Sequence, residues 1–310
     1  MQSFFVWRQQ GRSALQALIY SNASPLKLNP LLNRSQATSA VLYATRARNP
    51  LDSIREALFG LITPPKSNYG SHVPLSQLQK GALGVLASLG AFTDPRRGDL
   101  VAVVGETTGV PALRAIRDRM LRSAEGRELL ADRPRITDET VAPCWDLPVE
   151  TFGGAYAQFM GERGFKANDR PTVRFVDDPE LAWVVVRARE VHDFWHVLFN
   201  CHTNVFGETA LKAVEFLQTG LPMTAMAVAA GEYRMKPEDR NQMNKIFLPW
   251  AVRAGAQAAD LMTIYYERHF DENLEELRKK WRIQPAPAVD RRQNAKSGGP
   301  VAAKASAATV

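Results

Sequence analysis

Apolar and polar positions recur with the period of a helix over most of this chain and almost nowhere with the period of a strand. Leu75–Phe92 reads as a helix of small residues closed by Asp94-Pro95. Pro111–Leu121, Ala124–Ala131 and Glu150–Glu162 follow as shorter helices. Asp132–Pro148, with three prolines, and Gly164–Val176 read as loop or extended chain. Asp178-Pro179-Glu180 is a strong helix start: a capping side chain, a proline suited to the first turn, then an acid favouring the dipole. Gly207–Gln218 forms the next helix and stops at Gly220, and Met223–Ala230 follows Pro222. Glu238–Phe247, the region after Pro249, and Ala254–Lys280 complete the helical pattern. The prediction is an all-α fold, a single helical domain without internal repeats. Gly105-Glu106-Thr107-Thr108-Gly109 superficially resembles a phosphate loop but lacks the Lys-Ser/Thr pair. It reads instead as a Gly/Thr turn that caps the helix beginning at Pro111.

Within the helix opened at Asp178 lies an apolar stretch, REVHDFWHVLFN. Each helical residue turns by about 100°, so His192, His196 and Asp193 fall at roughly 0°, 40° and 100°, on one side. Phe194, Trp195, Val197, Leu198 and Phe199 cover most of the rest, and a helix apolar nearly all round belongs in the interior. Buried imidazoles and carboxylates are costly unless paired. Hydrogen-bonded core residues are the ordinary solution. A divalent metal is the other, since neutral imidazole and carboxylate are its usual nitrogen and oxygen ligands. The chain has five histidines, and His192, His196 and His202 lie close together. Glu208 follows twelve residues after His196. On one straight helix it would stand roughly 18 Å away. The intervening Asn200-Cys201-His202-Thr203-Asn204 is rich in helix-ending residues, so a turn there would bring Glu208 back toward the pair.

H-D-x-x-H differs from the metalloprotease signature H-E-x-x-H, in which Glu serves as general base. Asp is one methylene shorter and no third ligand follows at the required spacing. Metal phosphohydrolases also use an adjacent His-Asp pair, but only His72 and His269 remain to supply their distant ligands.

The net charge of +7 comes from the ends of the chain. Residues 1–51 hold Arg8, Arg12, Lys27, Arg34, Arg46 and Arg48 and no acid. The tail from Pro285 to Val310 holds four basic residues against Asp290. The body between them is slightly acidic, which argues against a nucleic-acid footprint. The acid-free N-terminus, with Phe, Val, Leu and Ile set against Arg and Gln at helical spacing, matches a mitochondrial transit peptide over 1–51. The folded domain is expected over 52–284, and the Ala/Ser/Gly/Pro-rich tail 285–310 is expected to be disordered. Cys144 and Cys201 match no metal spacing and fit free thiols in a reducing compartment. Gly81–Phe92 is well short of the roughly 20 residues needed to cross a bilayer, so a soluble or peripheral protein is expected.

H-D-x-x-H, eleven residues, then E resembles the signature of the coenzyme Q biosynthesis protein 4 family, matched by His192, Asp193, His196 and Glu208. PLSQLQKGALGVLASLGAF, DLVAVVGETTG, RPTVRFVDDPELAWVVVRAREVHD, LQTGLPMT, PWAVRAG and YYERHF also resemble it, together covering about residues 74–282. His202 lies outside the motif. The resemblance implies a mostly helical, peripheral protein on the matrix side of the mitochondrial inner membrane, within a multi-subunit complex of coenzyme Q biosynthesis enzymes. It implies a divalent metal, Zn2+ or alternatively Fe2+, held by His192, Asp193, His196 and Glu208. It also implies removal of the ring carboxylate from 4-hydroxy-3-methoxy-5-polyprenylbenzoate, giving the 2-methoxy-6-polyprenylphenol. A homo-oligomer is compatible with it.

Such a decarboxylation needs protonation at the carboxyl-bearing carbon, assisted by the para oxygen. A metal orients the carboxylate and a nearby acid supplies the proton. Two His and a carboxylate also match the donor set of oxygen-activating iron, as an oxidative replacement of carboxylate by hydroxyl would require. The rival from another class is a non-catalytic lipid-binding scaffold, whose support is the small-residue stretches 81–92 and 221–230, suited to enclosing an isoprenoid chain. Ordinary helix packing would use the same residues.

Overall fold

A computed structural model describes residues 58–94 and 97–288. The expected import segment over 1–51 and the tail beyond 288 lie outside the described residues. The helices are α1 (Gln77–Thr93), α2 (Gly98–Thr108), α3 (Val110–Arg122), α4 (Ala124–Asp132), α5 (Phe152–Arg163) and α6 (Pro179–Phe199). They continue as α7 (Val205–Thr219), α8 (Pro222–Arg234), α9 (Pro237–Gln242), α10 (Leu248–Gln257) and α11 (Leu274–Lys280). Among the described residues the β structure is one isolated bridge, Thr151 to Asn273, so the fold is all-α as expected.

α6 runs through the middle and its local chemistry fixes both ends. The Asp178 carboxylate accepts from the backbone N–H groups of Glu180 and Leu181, a cap worth about 1 kcal/mol. At the other end Asn200 adopts a left-handed conformation (φ 53°), and its N–H donates to the carbonyls of His196 and Val197. Between them nearly every face is buried, against α3, α5 and α7. The polar residues on it are therefore paired. Arg187 donates to Glu267 at 2.6 and 2.9 Å, and Glu190 accepts from Arg135 at 2.7 Å and from the Ile136 N–H at 3.0 Å. Phe194 anchors an aromatic cluster, with Tyr156 edge-on at 4.7 Å and Phe152 at 5.2 Å.

α7 follows after a short turn, capped by Asn204 at its start and by Gly220 (φ 66°) at its end. It packs against α8 and α10, while α2 lies against α1 and α8. The expected turn at 105–109 differs from the structure. Gly105 to Thr108 form the last turn of α2, and Gly109 alone ends α2 and starts α3. Glu106 explains the helix: it is buried, accepting from the N–H groups of Arg174 and Phe175 and from the Arg189 guanidinium.

The expected helix Ala254–Lys280 is also corrected. α10 stops at Gln257, and only Leu274–Lys280 is helical again. The segment between holds two short 3-10 turns and buries Leu261, Met262, Tyr266 and Phe270. Asp260 caps the first of these turns and binds Arg119 at 2.6 Å. Long-range anchoring of aromatic residues has overridden a locally helical pattern. The chain stays attached past 284, where the Ala286 N–H donates to the Phe199 carbonyl at 2.8 Å.

Candidate metal centre

The turn between α6 and α7 reverses the chain tightly. Cys201 and His202 leave α6, Asn204 caps α7 through the Gly207 N–H, and a side chain at Gly207 would meet the His202 carbonyl at 2.2 Å. Glycine at 207 is thus required by close approach, and it places Glu208 in the first turn of α7, facing α6. Ligand atoms of His192, His196 and Glu208 all lie within 4.8 Å of one another. His196 Nε2 is 3.1 Å from His192 Nε2 and 3.1 Å from a Glu208 oxygen, and His192 Nε2 is 3.7 Å from the other Glu208 oxygen.

Each imidazole is held so that Nε2 faces this point. The face of His196 stacks on Phe159 at 5.3 Å, and its Nδ1 lies 2.9 Å from the Cys201 carbonyl. A carbonyl can only accept, so Nδ1 carries the proton and Nε2 presents a lone pair. His192 Nδ1 lies against Glu215, a buried carboxylate on α7, and in the same way His192 Nε2 presents a lone pair. With both imidazoles neutral, two lone pairs and a carboxylate converge over 3.1–3.7 Å, a repulsion relieved by a proton on one imidazole or by a metal ion between all three. Such separations suit neighbouring ligands around one ion with bonds of about 2.0–2.2 Å. The donor set therefore fits a divalent metal.

Asp193 is not brought to this point. Its carboxylate pairs with the Arg170 guanidinium, which also donates to the carbonyls of Ala167 and Arg189. Its roughly 100° offset from His192 carries it past the edge of the metal-facing arc. His202, His72 and His269 lie outside the cluster of His192, His196 and Glu208. His72 is instead bound to Asp177 at 3.1 Å, and His269 sits beside Glu272. Two functional candidates escaped the sequence reading: Lys212 and Glu215. Lys212 Nζ donates to both Glu215 oxygens, at 2.8 and 3.0 Å, and lies 3.2 Å from His192 Nδ1. The available signal was polar residues at 208, 212 and 215, an i, i+4, i+7 stripe on the face of α7 that turns inward.

Burial works against ionising Glu215, but Lys212 and His192 outweigh it and hold its carboxyl near 2. Glu208 is likewise drawn down to about 2, burial being overcome by His196, His192 and Lys212. His192 is pushed down by burial and by Lys212, yet Glu215 and Glu208 win and leave it above the usual imidazole value. Burial lifts the Cys144 thiol to about 12 and the Cys201 thiol higher still, and both cysteines are free and buried.

Two clefts meet at the cluster. One, about 290 Å³, is lined by His192, Asp193, Arg170, Lys166 and Trp195. The other, about 520 Å³, is lined by Glu208 with Phe92, Met226, Ala227 and Ala230. Pro171, Arg189, Lys212 and Met223 line both. The cluster thus stands in the partition between a compact, charged cleft and a larger apolar one. Both small-residue stretches, 81–92 and 221–230, contribute to the apolar cleft through Ala91, Phe92, Met223 and Ala230.

Fold and site together define a class, an all-α protein presenting two histidines and a glutamate from adjoining helices around one point. The family described as coenzyme Q (ubiquinone) biosynthesis protein Coq4 matches residues 69–287, and the chain belongs to that family. It is 40% identical to the mitochondrial ubiquinone biosynthesis protein COQ4 homolog of Aedes aegypti, over 84% of this chain and 95% of that one. It is 42% identical to mitochondrial COQ4 of Coprinopsis cinerea, over 72% of this chain and 77% of that one. A crystal structure of a putative ubiquinone biosynthesis protein from Nostoc punctiforme shares the fold, with a TM-score of 0.53 and 22% identity, covering 65% of this chain and 97% of that one.

Proposed function

We propose that this protein acts in mitochondrial ubiquinone biosynthesis by decarboxylating 4-hydroxy-3-methoxy-5-polyprenylbenzoate, at a divalent metal held by His192, His196 and Glu208. The observation that carries this reading is the convergence of both Nε2 atoms, 3.1 Å apart, with a Glu208 oxygen 3.1 Å from one of them, where two clefts meet. A bound metal would supply a Lewis acid that orients the substrate carboxylate and organises charge as the C–C bond breaks. The aromatic head fits the compact cleft, where Arg170 is paired with Asp193 and Lys212 with Glu215, while Lys166 and Arg189 add positive charge to the lining. The polyprenyl chain follows the apolar cleft, from which Met223, Met226, Ala227 and Ala230 exclude water. The ring carbon gives up CO₂ and takes a proton in its place, with the para oxygen donating electron density. The product is the 2-methoxy-6-polyprenylphenol.

One observation favours a second reading of the same site. With Asp193 held by Arg170, the set that remains is two histidines and one carboxylate, the donor set of oxygen-activating iron. In that case the carboxylate is replaced by hydroxyl, with dioxygen and two electrons as co-reactants. A scaffold role within a complex of coenzyme Q biosynthesis enzymes is compatible with both, since lipid binding needs only the clefts.

No helix among the described residues is long and apolar enough to cross a membrane. α1 nevertheless exposes Leu78, Val85, Leu86 and Leu89, while its one charged residue, Lys80, is buried against Asp177. Phe92, at the end of α1, lines the apolar cleft. A peripheral seat on the matrix face of the inner membrane would let the polyprenyl chain enter without crossing water.

The test is turnover by purified protein with a short-chain prenylated 4-hydroxy-3-methoxybenzoate. Zinc-loaded protein should release CO₂ and form the phenol without oxygen. Formation of a hydroquinone only with iron, oxygen and reductant would establish the second reading. Absence of both products would leave the scaffold.

A further inference from the structure

Glu215 is buried and Lys212 half-buried, they are opposite in charge, and neither belongs to the three-residue cluster. They lie one turn apart on α7, and their role rests on His192 being a metal ligand, as proposed above. A single imidazole can turn about χ2 and can carry its proton on either nitrogen. Binding a metal through Nε2 requires both freedoms to be removed. For His196 the Cys201 carbonyl and the stacked Phe159 ring do so. For His192, whose side chain is 22% exposed, Glu215 is the hydrogen-bond acceptor in contact with Nδ1, with Lys212 Nζ 3.2 Å from the same nitrogen. Glu215 is itself fixed, because Lys212 donates to both of its oxygens at 2.8 and 3.0 Å.

The geometry points to Glu215 as a positioning residue that orients His192 and makes it electron-rich for the metal, with Lys212 as the counter-charge limiting how tightly the metal is held. Two effects are separable. The hydrogen bond from His192 Nδ1 to Glu215 sets the tautomer, and a neutral oxygen at the same place preserves that. The negative charge of Glu215 attracts a dication, and the positive charge of Lys212 opposes it. Asp193 is neutralised by Arg170, so among the groups against the histidines Glu208 and Glu215 oppose Lys212; removing Glu215 makes the surroundings one charge less negative and removing Lys212 one charge more negative. If the pair served only to hold α7 together, deleting either partner would weaken the site in the same direction. An electrostatic role requires opposite directions.

The experiment measures Zn²⁺ affinity of the purified full chain by competition with a chromogenic chelator, and the absorption spectrum of the Co²⁺-loaded protein. Glu215→Gln should weaken binding by about 10- to 100-fold, the usual effect of removing a ligand's outer partner, and Glu215→Ala should weaken it further. Lys212→Met should bind several-fold more tightly than wild type. The double variant Glu215→Gln with Lys212→Met, which leaves no unpaired buried charge, should fall between the single variants. Glu215→Ala should alter the Co²⁺ spectrum by freeing His192. Thermal melts of the metal-free proteins identify any variant that fails to fold, and the double variant carries the test in that event. Equal affinity of wild type and Glu215→Gln, or weakening by both single substitutions alike, would overturn the inference while leaving the metal centre standing. A wild-type protein that binds no Zn²⁺ or Co²⁺ would overturn the metal centre itself, and the inference with it.

Discussion

At the scale of single residues, His192, His196 and Glu208 converge on one point, and other groups hold them there. His196 is gripped by the Cys201 carbonyl and the Phe159 ring, and its Nε2 has no other task than the cluster. His196→Ala and Glu208→Ala should therefore abolish ubiquinone production in cells while the protein still accumulates. A structural metal would behave differently, because its binding energy is folding energy and its loss unfolds the chain. The aromatic core around Phe194, Tyr156 and Phe152 stands apart from the cluster, so melting temperatures of both variants should stay within a few degrees of wild type. Wild-type quinone levels in both would refute the catalytic reading. Acid sensitivity follows from the same residues. Glu215 is held near 2, below its ordinary 4.5, so the folded state binds its proton less readily than the unfolded state. The stability this contributes is fully present above about 4.5 and is lost as the pH falls toward 2. Thermal melts between pH 5 and pH 2 should accordingly fall less steeply for Glu215→Gln than for wild type. Parallel slopes would show that the charge of Glu215 is not coupled to folding.

At the scale of elements, the helix pair α6 and α7 does what the sequence implied and for the reason it implied. Asp178 and Pro179 start one helix, the run from Asn200 to Asn204 breaks it, and Glu208 returns to the histidines. These features are local, so they are legible in the chain. Asp193 was not legible in the same way, because its alternative partner, Arg170, is remote in sequence and sits in a loop with no periodicity. Lys212 and Glu215 were hidden for a related reason: an i, i+4, i+7 polar stripe reads as a solvated face until α6 is laid against it. The lost helix between 258 and 273 shows the same limit, since only tertiary contacts of Tyr266 and Phe270 reveal why that stretch stays irregular. The turn itself offers a sharp test. A methyl group at Gly207 would collide with backbone atoms of His202 at 2.2 to 2.8 Å, and backbone cannot swing aside as a flexible side chain can. Gly207→Ala should cost about 1–3 kcal/mol and shift the start of α7. Because Glu208 is the next residue, metal affinity should drop along with the melting temperature. A variant with unchanged melting temperature and affinity would mean that the turn has slack the geometry does not suggest.

At the scale of the whole molecule, charged and apolar linings are unevenly divided between two clefts that meet at the cluster. The compact cleft is lined by Lys166, Arg170, Asp193 and Glu215, the larger one adds Phe92, Met226, Ala227 and Ala230, Arg189 and Lys212 line both, and the cluster lies where they meet. The outer surface continues the arrangement. Leu86 is 67% exposed and Leu89 is 62% exposed, on a helix with no exposed charge, and Phe92 on that helix reaches the apolar cleft. Tyr233 of α8, 72% exposed, packs against Phe92 at 5.8 Å and widens the apolar rim. If this rim sits in the inner membrane, transfer of each leucine from water into lipid contributes about 1.5–3 kcal/mol. Replacing both by Glu forfeits that and adds the cost of placing charge in an apolar medium. Leu86→Glu with Leu89→Glu should thus lower binding to phosphatidylcholine–cardiolipin vesicles by at least about 100-fold, since 1.4 kcal/mol is a factor of ten. Leu121→Glu, on α3 and also exposed, provides the control and should leave binding unchanged. Vesicle flotation of the three proteins, with their melting temperatures, decides the matter. Equal flotation of wild type and the double variant would remove the membrane from this face. Loss of flotation with an intact fold and intact metal affinity would establish the exposed face of α1 as the surface that docks on the bilayer.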